Sequence, residues 1–204
     1  MKRAMTDTAR EFRRRWWLAN SVGFAVGLVA FSLLGHGFTG PHEDELTVAQ
    51  YIGHTGGLVG AATIILAAQR LALLPLREVS GKRMALGVLA FVAVFWFGAE
   101  AIRPPTDWIL GFSVLGVATW IRRPSLEHGK NIWALAALGS YWVGICAALA
   151  AVITWDRALG PDPSSLLDHT IGWLIVGATT GVVGGLLSAH ALSQLLVAAN
   201  QAES

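Results

Sequence analysis

Cysteine and charge are both scarce in this chain, and so is every short motif that announces an enzyme. Cys146 is the single cysteine, so neither an internal disulfide nor a multi-cysteine metal site can form. Lying within an apolar run, it reads as a small apolar residue. Charged residues make up 14% of the chain and hydrophobic ones 54%, against about 25% charged in a soluble domain. A soluble fold has no place for that surplus of apolar surface. There is no glycine-rich phosphate loop, no HExxH and no dinucleotide fingerprint, which removes the motif-bearing nucleotide and zinc enzymes.

What is present is a series of six apolar stretches, at residues 16–34, 47–74, 84–102, 107–121, 132–155 and 169–196. Each is near or above the ~20 residues that cross a hydrocarbon core, the fourth being the shortest. The expected fold is all-α, a polytopic transmembrane bundle of six helices in a plasma or inner membrane. Residues 1–15 form a basic cytoplasmic segment, 16–196 the membrane domain and 197–204 a short cytoplasmic tail. The N-terminal run reads as a retained signal anchor, because it is long and no A-x-A-like site ends it.

Charge fixes the expected orientation. With the N-terminus inside, the inner loops hold Lys2, Arg3, Arg10, Arg13, Arg14, Arg15, Arg77, Lys82, Arg83, Arg122, Arg123 and Lys130, whereas Arg103 and Arg157 fall outside among a cluster of acidic residues. That imbalance follows the positive-inside rule and places both termini in the cytoplasm. The same cations suit anionic lipid headgroups, so the basic pI calls for no nucleic acid. Eight of the nine tryptophans fall near predicted interfaces, Trp142 being the deep one.

Helices one and two resemble helices five and six in the same orientation, with Trp17 matching Trp133 and Gly57 matching Gly177. A weak parallel repeat is therefore expected. Small residues recur every four positions, as in Gly53 and Gly57 and in Gly177, Gly181 and Gly185. Such stripes let helices approach closely in lipid, against the same chain or against another.

Polar residues inside the spans are the candidate sites. Gly111-Phe112-Ser113-Val114 lies in the fourth span, His169-Thr170-Ile171-Gly172 opens the sixth, and His54 is early in the second. This set resembles the rhomboid intramembrane proteases, six-helix proteins with a serine in a Gly-x-Ser-Gly motif of the fourth helix and a histidine in the sixth. The resemblance implies a Ser113–His169 dyad in which histidine takes the hydroxyl proton, with His54 nearby. Val114 stands where that motif has its second glycine, and no asparagine follows His54 in its span.

Toward the inner side, Asn20, Gln69, Arg70, His190 and Gln194 are expected at similar depth, as a pocket for a lipid headgroup or carboxylate, or as snorkelling and helix-bonding groups. Haem needs facing axial histidines, which His54 and His190 cannot supply from opposite halves. A single-histidine ligand to a chlorin-type pigment stays open, and no cofactor is assigned. The expected role is a non-catalytic accessory or scaffold subunit, packing against a partner membrane protein or a second copy. The alternatives are a small permease, for which the span centres carry little charge, and the rhomboid-like protease.

Overall fold

The computed structural model describes residues 2–36, 48–73, 81–101, 111, 112, 114, 115, 130–160 and 165–202. The described residues form five long helices: α1 Lys2–His36, α2 Val48–Leu73, α3 Gly81–Ala101, α4 Lys130–Leu159 and α5 Leu166–Ala202. Helical residues also occur at 111, 112, 114 and 115. The rest of the fourth predicted span lies outside the described residues. No strand occurs among them.

Four of the helices are long and apolar enough to cross a membrane, namely α1, α2, α4 and α5, and α3 carries a shorter apolar stretch, Met84–Trp96. Only 28% of the apolar window of α5 and 33% of that of α4 is buried within the chain. The remainder is a sleeve of leucine, valine and isoleucine, including Leu135, Ile153 and Leu186. Such a sleeve is stable against lipid and costly against water. The chain is built as a multi-pass membrane protein.

α1 runs without a break through the basic segment, because neither glycine nor proline occurs before Gly23. Phe12 is buried, stacking on Trp16 with ring centroids 6.2 Å apart, so the bundle begins before the first apolar run. At the other end of the chain α5 continues to Ala202, past the predicted end of its span. The exposed Arg15–Glu11 pair at 2.8 Å is an i,i+4 contact of about 0.3–0.5 kcal/mol.

α1 is the central helix, lying between α2 and α5 and antiparallel to both. Gly23 meets Ala68 and Gly27 meets Ala61 on α2, while Gly177 meets Phe24 and Gly181 meets Asn20 across α1–α5. α4 packs antiparallel to α5, with Gly144 against Thr180. α3 lies along α2, bringing Trp96 onto Tyr51 at 5.1 Å. α1 and α4 are therefore parallel, as are α2 and α5. Where α1 and α4 meet, Trp16 rather than Trp17 faces Trp133, at 5.9 Å. Phe24 likewise faces Tyr141, at 5.4 Å. The arrangement is not symmetric, since α2 and α4 have no close backbone approach among the described residues.

The α4–α5 turn has a local explanation. Gly160 takes φ 53° and its N–H reaches the Asp156 carbonyl at 3.0 Å, an αL cap that glycine supplies without a Cβ penalty. Ser165 then caps α5: its carbonyl accepts the His169 N–H at 2.9 Å and its hydroxyl faces the Asp168 N–H at 3.4 Å. Ser165 and Asp168 stand in the Ser-x-x-acid spacing of a capping box.

Candidate functional site

In the middle of the bundle three helices each contribute one polar side chain to a closed cluster. Asn20 of α1 donates through Nδ2 to the Trp16 carbonyl at 2.9 Å, which turns its Oδ1 toward α2 and α4. That oxygen accepts Gln69 Nε2 at 2.8 Å and the Tyr141 hydroxyl at 3.1 Å. Gln69 Nε2 donates its second proton to the Tyr141 oxygen at 3.1 Å. All three side chains are fully buried. The Gln69–Tyr141 bond joins α2 to α4.

A second tie joins α1 to α5. The buried Trp16 indole donates to Ser188 Oγ at 3.0 Å, and Ser188 donates to the Gly184 carbonyl at 2.7 Å. Around both ties lie aromatic rings: Phe24 meets Phe112 edge-on at 4.8 Å, and Phe91 stacks on Phe112 at 5.9 Å. Among the described residues Gln69 Oε1, Thr180 Oγ1 and Trp17 Nε1 are buried without a hydrogen-bond partner. The cluster is made of amides, hydroxyls and indoles. It contains no carboxylate, histidine or thiol, so its chemistry is that of helix-to-helix adhesion, where such bonds contribute about 0.6–1.7 kcal/mol.

Of the inner-side candidates, Asn20 and Gln69 are brought together, whereas Arg70, His190 and Gln194 are exposed on the bundle surface. Tyr141, Trp16 and Ser188 join the cluster without having been singled out by sequence. A tyrosine in the middle of an apolar run was the available signal, since a buried phenol needs a partner.

Two members of the rhomboid-like set, His169 and His54, fall among the described residues. Ser113 lies outside the described residues. His169 accepts the Trp173 indole N–H on Nε2 at 3.1 Å. His54 is edge-on to Phe31 at 5.3 Å and to Trp96 at 5.8 Å. Phe31 also packs edge-on to Trp173 at 5.0 Å, so both histidines border one aromatic layer. Phe112 packs on Phe24, seven residues from Phe31 along α1, or roughly 10 Å.

The glycine stripe of α5 is taken up by the chain's own first helix. A Cβ at Gly177 would lie 2.5 Å from the Phe24 carbonyl oxygen, at Gly181 2.6 Å from that of Asn20, and at Gly185 2.9 Å from the Asn20 Cβ. Gly57 sits likewise on Phe31, its missing Cβ 3.1 Å from the Phe31 carbonyl oxygen, and Gly53 is buried.

A groove of about 260 Å³ opens between the end of α4 and the start of α5, lined by Val152, Trp155 and Asp156 and by Asp168, His169, Gly172, Trp173 and Val176. Among the described residues no three histidine, cysteine or carboxylate groups are placed to hold one metal ion. No known family, curated protein or solved structure matches the chain.

Proposed function

We propose that the protein is a non-catalytic subunit of a membrane assembly, a six-crossing bundle that offers the outer face of α4 to a partner transmembrane helix. The observation that carries this reading is the stripe Ile132, Leu135, Gly139, Trp142, Cys146, Leu149 and Ile153. Its members alternate by three and four residues and all are exposed. That is the spacing of a helix–helix seam. Trp142 is 47% exposed and lies near the middle of the span, and a Cβ at Gly139 would meet nothing within 4 Å. An indole N–H at that depth is poorly served by lipid, and the open space at Gly139 gives a partner backbone room to approach it. The neutral core favours packing over chemistry.

Six crossings are supported by direction. α3 ends beside the start of α2, because Trp96 meets Tyr51. α4 begins beside Trp16 at the opposite end of the bundle, because Trp133 meets that ring. A crossing between those two ends is what these contacts support. Exposed Arg10, Arg13, Arg14, Arg15, Arg70 and Lys82, with Glu11 among them, mark the end where α1 starts, and exposed Asp156 and Arg157 with half-buried Asp168 the other. This segregation supports a cytoplasmic N-terminus.

The test is particle size in mild detergent. The native protein should run larger than one chain in its micelle, and oxidation should cross-link Cys146 to a partner cysteine or to a second copy. Gly139→Leu should release a single, equally heat-stable chain with the same topology. A native particle already the size of one chain would overturn the subunit reading.

A further inference from the structure

We propose that the turns of α1 between Arg10 and Arg15 hold the headgroup of an anionic phospholipid whose acyl chain lies on the exposed ridge below them. Arg10, Arg14, Leu18, Val22 and Val26 follow one another at four-residue spacing, and all five are exposed. Residues four apart form a continuous ridge on a helix, so cations and apolar side chains share one surface. None of these residues belongs to the α4 seam.

The first support is the attitude of the helix. A basic segment with an apolar face can lie flat in the headgroup layer, but α1 is a single helix from Lys2 to His36 and its other side is held by the bundle. Phe12 is buried and stacks on Trp16, whose indole donates to Ser188 of α5 at 3.0 Å. The arginine turns therefore continue the line of the apolar ridge. Arg14 precedes Leu18 by four residues, or about 6 Å of rise, so one phospholipid can touch both, phosphate above and methylenes below.

The second is charge. Four arginines and one glutamate lie between residues 10 and 15. Glu11 is engaged by Arg15 at 2.8 Å, whereas no hydrogen bond or ion pair engages Arg10, Arg13 or Arg14 among the described residues. Three guanidinium groups without a counter-ion call for an anion. A phosphate offers the paired oxygens that the guanidinium fork binds best.

The third separates kinds of anion. A free phosphate would use the arginines alone, and an acidic soluble protein would meet them from the aqueous side. Only a lipid meets both halves of the ridge, its phosphate on the guanidinium groups and its hydrocarbon on Leu18, Val22 and Val26. Arg70 and Lys82 are exposed cations on α2 and α3, outside this ridge, and they separate a site on α1 from a basic belt spread around the bundle.

The experiment is native mass spectrometry of the full chain released from an uncharged detergent, titrated with phosphatidylglycerol and, separately, with phosphatidylcholine, whose headgroup has no net charge. One phosphatidylglycerol should bind ahead of any phosphatidylcholine, and more weakly as added salt shortens the Debye length. Arg10→Gln and Arg14→Gln should each weaken that binding about fivefold, the effect of one cation near an anionic headgroup. Glu11→Gln, which frees Arg15, should strengthen it about fivefold for the same reason. Arg70→Gln and Lys82→Gln should leave it unchanged. Every changed side chain is exposed, so thermal unfolding should be the same in all the variants. Equal binding of the two lipids overturns the proposal, as does an Arg70→Gln loss equal to that of Arg14→Gln, the mark of a diffuse basic belt. A Glu11→Gln variant that binds phosphatidylglycerol no better overturns it too. Displacement of the lipid by glycerol phosphate or polyglutamate at a lower concentration than phosphatidylglycerol needs to bind overturns it in favour of a soluble anion or an acidic protein.

Discussion

At the scale of single residues the bundle is decided by Asn20. Its amide reaches its own helix through Nδ2 and two others through Oδ1, so its loss leaves Gln69 and Tyr141 facing each other without their shared acceptor. Tyr141→Phe removes one hydroxyl and should cost about 0.6–1.7 kcal/mol, read by denaturant unfolding in mixed micelles. Asn20→Ala should cost more, about 2–3 kcal/mol, because it strands a buried donor and empties the space its amide fills beside Gln69 and Tyr141. The double variant should fall short of the sum, since both changes act on one network. Additive losses would show that the three side chains do not work as a unit. Both losses should appear as early unfolding, with insertion unchanged.

At the scale of helices the close approach of α1 and α5 matters most. The atoms opposing a Cβ at Gly181 are backbone, the Asn20 carbonyl at 2.6 Å and the Ser21 Cα at 2.9 Å, and backbone cannot rotate away as a side-chain tip can. Gly181→Leu should therefore push the helices apart, lower stability by about 1–3 kcal/mol and leave particle size unchanged. A smaller particle would mean that this face also serves a partner. Gly56 gives the contrast: it is exposed, and a Cβ there meets nothing within 4 Å. Gly56→Ala should be neutral or stabilising by up to ~1 kcal/mol, through helix propensity alone, as measured by the same thermal unfolding. The two glycines look alike in sequence, each part of a four-residue repeat.

At the scale of the whole molecule the testable property is topology. Reporter fusions after residues 42, 103 and 162 should read as external, and those after 80, 126 and 204 as cytoplasmic. The pair at 103 and 126 bears on the crossing between α3 and α4. If both reported the same side, the six-crossing reading would fail, and with it the parallel relation of α1 and α4 as a membrane arrangement. The α1–α2 and α4–α5 hairpins assemble unequally, with α1 touching both α2 and α5 along its length while α4 packs along α5 and, among the described residues, meets α2 through the Gln69–Tyr141 bond. That inequality frees the outer side of α4, which is why the proposed seam lies there.

The sequence by itself determined the solvent of this protein. Apolar run lengths, the rarity of charge and the segregation of arginine are one-dimensional properties, and each follows from the cost of placing polar groups in hydrocarbon. They were enough to locate the four long apolar helices and the third, shorter one. Depth was legible too, since it follows from residue count at 1.5 Å per position, and it placed Asn20 and Gln69 at a common level. Direction around each helix axis was not legible. α2, α4 and α5 are apolar on nearly every face, so no amphipathic stripe marks which side turns inward. Tertiary packing made that choice: it turned Gln69 into the core and its neighbour Arg70 out, and buried Ser188 while leaving His190 exposed. It also set Gly177, Gly181 and Gly185 against α1, where their lack of side chains allows the two backbones to meet, and so decided which surfaces the protein keeps for itself.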